Sequence, residues 1–225
     1  MNVSLRPAWG ILWSIALISS AACGGDDDSL IENDPGEGSG TLLVDATIEN
    51  DGDGAEIEVR VDRDGEDVND AEVVIVHDDG DELLTLEGGG DYRGEHAGWS
   101  GSYRIEVTAG EDWLDGSLEA PALPEVVEPS PTEAFDPHEA EDGVVLVAWE
   151  GAAGMSARVR TKDFEWEGDD EGALEVPATA FEEEDQELEI SRRNSIDLEG
   201  GSPGSELTVS ARSRTTLIVV NPYEN

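Results

Sequence analysis

From residue 55 to residue 62 the chain reads Ala-Glu-Ile-Glu-Val-Arg-Val-Asp. Ile57, Val59 and Val61 hold every second position, and Glu56, Glu58 and Arg60 fill the gaps. Successive side chains of an extended strand point to opposite faces, so this pattern fits a strand with one buried and one wet face. It does not fit a helix, whose apolar residues recur every three or four positions. Further runs of strand character lie at 42–48, 71–77, 82–86, 103–107 and 114–118. Others lie at 143–149, 156–161, 173–176, 186–192, 207–211 and 216–220. Turns such as Asn50-Asp51-Gly52-Asp53-Gly54 and Gly88-Gly89-Gly90 separate them, using residues that tolerate a left-handed backbone. Short strands at close spacing predict an all-β fold built from sandwiches.

The runs fall into two groups. Between them, Pro121, Pro124, Pro129, Pro131 and Pro137 punctuate a segment with the composition of a semi-rigid spacer. The expected division is a β-sandwich over 41–121, a proline-rich linker over 122–137, and a second β-sandwich over 138–225. Gly101-Ser102-Tyr103-Arg104-Ile105-Glu106-Val107 resembles the Gly-x-Tyr-x-apolar-x-Val strand of Ig-like and carboxypeptidase-regulatory-like domains of bacterial surface proteins. Val145-Leu146-Val147-Ala148-Trp149 is similar to the early core strand of a degenerate fibronectin type III domain. These resemblances imply an architecture and no activity.

The first 22 residues follow another logic. One cation, Arg6, precedes the apolar run 8–18, and the small residues Ser19-Ser20-Ala21-Ala22 follow it. That is the layout of a signal peptide, and the run is shorter than the roughly 20 apolar residues of a membrane-spanning helix. Cys23, the only cysteine, comes next. Ser20-Ala21-Ala22-Cys23 resembles the lipobox of bacterial lipoproteins, with Ser20 where that family most often has leucine. The resemblance implies cleavage before Cys23, a diacylglycerol on its thiol and an acylated amino terminus. The protein would then be extracytoplasmic and tied to a membrane by lipid such as palmitate. Gly24 rather than aspartate after the cysteine favours the outer membrane. Residues 23–40, rich in Gly, Asp and Ser, read as a flexible, disordered acidic tether.

Charge limits the partners. The chain has 55 Asp and Glu against 12 Lys and Arg, a formal net charge of −43. Phosphate backbones and anionic headgroups are repelled, so nucleic acid is not an expected partner. Lys162 is the only lysine, a bias that resembles proteins of salty habitats. At ~1 M salt the Debye length falls to about 3 Å, which screens carboxylate repulsion.

Few residues have the spacing of a catalytic centre. No Gly-x-Ser-x-Gly occurs, and Gly98-Trp99-Ser100-Gly101 closes one residue early. His77, His96 and His138 have no short zinc-type spacing. They read as surface histidines, in or after a strand, in a turn, and in the linker, with a metal site assembled from distant residues as the alternative. Glu49-Asn50-Asp51-Gly52-Asp53-Gly54 resembles the opening of a Ca2+ loop, with Asp51 and Asp53 as candidate ligands. It departs from that pattern with Glu49 at the first position and Arg60 at the twelfth, so a metal-free hairpin turn competes with it. Trp99 and Trp113 are expected in Gly-rich or acidic loops, where an exposed ring stacks on a sugar; core packing is the competing reading.

The expected function is a non-enzymatic interaction or envelope module, with no cofactor unless Ca2+ binds. A carbohydrate-binding module and a hydrolase with a hidden carboxylate pair are the alternatives. The expected partner is an envelope protein or a glycan.

Overall fold

The computed structural model describes residues 40–151, 153–181 and 185–220. The segments expected to be a signal peptide and the lipidation site Cys23 lie outside them, as does almost all of the expected tether. No helix among the described residues is long and apolar enough to cross a membrane.

The structure is all-β. The first half carries β1 (Leu42–Asn50), β2 (Ala55–Arg63), β3 (Glu66–Asp67), β4 (Glu72–His77), β5 (Gly80–Leu83), β6 (Thr85–Gly88), β7 (Asp91–His96), β8 (Ser102–Ala109) and β9 (Asp112–Glu119). The second carries β10 (Glu125–Glu128), β11 (Val144–Glu150), β12 (Ser156–Arg160), β13 (Glu165–Asp169), β14 (Ala173–Pro177), β15 (Asp185–Asp197) and β16 (Glu206–Ile218).

One nine-stranded sheet runs through both halves in the order β13-β12-β15-β16-β1-β2-β7-β6, with β3 beside β2. Two smaller sheets, β5-β4-β8-β9 and β10-β11-β14, complete the layers. Val44, Ile48, Ile57 and Val59 of the large sheet bury against Val73, Ile75, Ile105 and Leu114 of the first small sheet. Val159, Leu188, Ile190 and Leu217 bury with Val145, Val147, Trp149 and Val176 of the second. Each such side chain contributes about 1.5–3 kcal/mol on leaving water.

The two cores are not housed in separate halves. β1 pairs in parallel with β16, from Asp45 opposite Glu206 to Asn50 opposite Ala211. Leu207 and Val209 at the start of β16 belong to the first core, and Leu217 near its end to the second. The expected strands at 207–211 and 216–220 are therefore one, because Arg212-Ser213-Arg214-Thr215 holds no glycine or proline to break it. The segment expected to be a linker, 122–137, contains β10, which pairs with β11. Its prolines flank that strand rather than separate two independent bodies. β7, absent from the expected strands, lies between β2 and β6. Its only large apolar residue is Tyr92, which left no visible alternation.

Several of the scarce cations sit among carboxylates on the outer faces. Arg60 lies 3.0–3.6 Å from Asp62, Asp67 and Asp91, and Arg93 pairs with Glu58 and Glu87. Such exposed pairs contribute about 0–1 kcal/mol each, but they relieve repulsion in a chain of this charge.

Candidate functional site

Three side chains meet at one rim of the first sandwich, where the large sheet and its partner sheet part. The inward residues of β4 are Val73, Ile75 and His77; those of β7 are Tyr92, Gly94 and His96. His77 and His96 are thus the last inward positions of strands in opposite sheets. Their rings lie 3.9 Å apart between centroids and are tilted by 35°. Asp79, in the turn after β4, brings Oδ2 to 3.5 Å from His96 Nε2. The ligand atoms of His77, Asp79 and His96 all lie within 4.8 Å of one another.

The surroundings hold this rim in place. The Tyr103 ring packs on both His77 and Trp99. The Tyr103 hydroxyl accepts from Ser100 N–H at 3.0 Å. Ser100 Oγ accepts from Asp78 N–H, and Asp78 Oδ2 accepts from Gly101 N–H, each at 2.9 Å. The Gly101 amide, and then the Ser100 hydroxyl, hold the Asp78 carboxyl below its ordinary value. Burial pushes the Tyr103 phenol up.

His96 is the odd member. Its side chain is 9% exposed. Nε2 is shut off from solvent and makes no hydrogen bond; Asp79 Oδ2, 3.5 Å away, is its ion-pair partner when the ring is protonated. Asp79 N–H donates to His77 Nδ1 across a long 3.3 Å. Gly98 sits beside His96 Nε2, where a Cβ would lie 3.5 Å from that nitrogen. Asp51, Asp53, Glu56 and Glu95 line a shallow acidic recess beside His96.

The other sequence candidates fall elsewhere. Asp51 and Asp53 are exposed in the β1–β2 turn, which Asn50 closes by accepting from Gly52 N–H at 2.6 Å. They are not in the His-Asp-His group, the one convergent set of three His, Cys, Asp or Glu among the described residues. Trp99 packs on the first core, and its indole N–H donates to Pro121 O at 2.9 Å. Trp113 is not in a loop; it lies in edge strand β9, opposite Thr108. Tyr103, which stacks on Trp99, and Thr108 are five positions apart on β8, roughly 17 Å at strand rise. The two indoles do not form one platform.

Nothing in their spacing links the three histidines; the structure brings His77 and His96 together at a half-buried rim and leaves His138 exposed in a 3-10 turn. The signal that would have found them is the period of two. Extending Val73-Ile75 by one step reaches His77, and extending Tyr92-Gly94 reaches His96.

No protein-family model matches the chain, and no curated protein matches it. Among solved structures it is similar to the tandem Ig domains of titin, at 8% identity and a TM-score of 0.27, over 80% of this chain and 97% of that one. A likeness of that size bears on neither family nor activity.

Proposed function

We propose that the chain is an extracytoplasmic lipoprotein, anchored through lipid on Cys23, whose double sandwich serves as a non-enzymatic interaction or envelope module. The observation that carries the reading is the placement of the only cysteine. It follows directly on a charge, an apolar run and four small residues. The acidic stretch 24–40 then supplies a spacer between anchor and body. An envelope protein or glycan is the partner class that suits such a location, and the outer membrane is the favoured site.

The body adds support of a general kind. A continuous sheet with charged outer faces presents a broad surface and suits contact better than the enclosure of a substrate. More than one acyl chain is needed for stable anchoring, at about 0.8 kcal/mol per buried methylene. Labelling cells with radioactive palmitate and fractionating them tests the anchor. Wild type should carry label in the membrane fraction, and Cys23→Ser should carry none and leave that fraction. Label retained by Cys23→Ser, or an unlipidated wild-type amino terminus at another residue by mass spectrometry, defeats the reading.

A further inference from the structure

We propose that His77, Asp79 and His96 form a binding site for a divalent transition-metal ion of the Zn2+ class. The site is independent of the lipid anchor and stands on the geometry of the sandwich rim alone.

The strand pattern makes the first part of the case. Inward positions at the end of a sandwich strand are ordinarily filled by apolar residues that extend the core. Here two such positions, on facing strands of different sheets, both carry imidazole, and the rings meet at 3.9 Å. The β4–β5 turn then places a carboxylate within reach of the pair.

The second part is the condition of His96. A buried nitrogen without a hydrogen-bond partner is uncommon in folded proteins. Nε2 of His96 is one, in a side chain that is nine-tenths buried. It faces Asp79, whose side chain is 77% exposed and so has the rotamer freedom to close on an ion. A metal would give Nε2 a close partner in place of a carboxylate 3.5 Å away.

The distances require a modest closure. Ligand bonds of about 2.0–2.1 Å in a tetrahedral set place donor atoms roughly 3.3 Å apart. The His96–Asp79 pair, at 3.5 Å, is nearly there. The wider separations, up to 4.8 Å, close by rotation of His77 and Asp79. Ligation of His77 costs only the long bond from Asp79 N–H: a metal on Nδ1 displaces it, and a metal on Nε2 shifts the ring proton to Nδ1, which then no longer accepts.

The donor set chooses the ion. Two imidazoles and one carboxylate suit Zn2+, Cu2+, Ni2+ or Fe2+, whereas Ca2+ and Mg2+ prefer oxygen throughout. Three protein ligands leave a fourth position open to water or to a ligand from outside. The recess lined by Asp51, Asp53, Glu56 and Glu95 raises the local concentration of cations beside His96. In this reading the acidic β1–β2 turn attracts the ion and the histidines hold it.

Titration of the full-length, EDTA-treated protein with Zn2+ by calorimetry at near-neutral pH, in excess Mg2+ to occupy scattered carboxylates, tests the site. One equivalent should bind at micromolar or tighter Kd. His77→Gln and His96→Gln should each weaken binding about tenfold or more, and His138→Gln should not. Asp79→Asn should weaken it several-fold, and its exposed side chain keeps that variant folded if either histidine variant fails to fold. Absence of one-equivalent binding overturns the proposal. So does an isotherm unchanged by Asp79→Asn and the folded histidine variants, or one that Ca2+ reproduces at the same Kd.

Discussion

Each sandwich of this protein buries ionisable side chains near an end, and the two groups are treated in opposite ways. In the second, Asp170 is fully buried and Arg192 is 2% exposed, with Arg192 Nε 2.9 Å from Asp170 Oδ2. Asp170 Oδ2 also accepts from Gly154 N–H at 2.8 Å, and Oδ1 accepts from Trp149 Nε1–H at 3.1 Å and Gly172 N–H at 3.2 Å. Arg192 donates from NH1 to Glu150 O. Both carboxylate oxygens are met from several sides. In the first, His96 Nε2 is buried and makes no hydrogen bond, and its carboxylate neighbour Asp79, 3.5 Å away, is largely exposed. The saturated Asp170 carboxylate, met on both oxygens, has nothing left to offer a ligand, so its work is structural. An imidazole nitrogen with no hydrogen bond, as at His96, is the one of the two groups that can still take a ligand.

Substitution at the saturated group should have the largest effect. Asp170→Ala leaves the Arg192 charge buried and strips acceptors from Trp149, Gly154 and Gly172. A loss of about 3–5 kcal/mol is expected, measured by denaturant unfolding. Arg192→Met on top of it should not restore the full stability, because the three N–H groups remain unmet. Full recovery in the double variant would mean that the pair alone accounts for the cost, and the contrast with the histidine rim would weaken.

The next effect separates the two groups by their response to metal. At a free Zn2+ concentration one hundred times Kd, wild type should gain about 2.7 kcal/mol against unfolding. Asp79→Asn should gain clearly less at the same Zn2+ concentration. An Arg192 variant that stays folded should gain as much as wild type, since its lesion lies in the other sandwich. Equal gains in wild type and Asp79→Asn would show zinc acting on the general acidic surface.

Much of the body is legible in the sequence where alternation is strong. β2 is visible in full because Ile57, Val59 and Val61 face a single core. β7 is hidden because Gly94 and His96 take two of its three inward positions, and neither signals burial. The same substitution of imidazole for an apolar residue that hid the strand also created the site. β10 is hidden for a different reason: prolines at 121, 124, 129 and 131 advertise a spacer, while pairing with β11 decides the local structure. The parallel junction of β1 and β16 joins residues some 160 positions apart, beyond the reach of any local pattern. The turn at Asp51 and Asp53 had the better motif, yet motif describes neighbours along the chain and ligation needs neighbours in space.

The smallest effect concerns the aromatic wall behind the histidines and reads the rim from its alkaline side. Tyr103 is 1% exposed, and burial, countered by the bond from Ser100 N–H, raises its phenol pKa above the usual value. Tyr92 in the same core is raised for the same first cause, burial, while its hydroxyl donates to Val68 O and accepts from Ala71 N–H. A folded pKa above the unfolded one means that the folded state holds its proton more tightly. The associated stability is complete below the unfolded value of about 10 and is lost as pH rises through the folded value. Unfolding free energy should therefore fall with pH above about 10. Tyr103→Phe should flatten that fall, at the cost of leaving Ser100 N–H without its acceptor. Because Ser100 also fixes Asp78 beside the β4–β5 turn, Tyr103→Phe should loosen the placement of Asp79 and weaken Zn2+ binding slightly. Tyr92→Phe should flatten the alkaline slope with no change in Zn2+ affinity. Identical Zn2+ isotherms for both variants would detach the aromatic wall from the rim and confine the site to its three ligands.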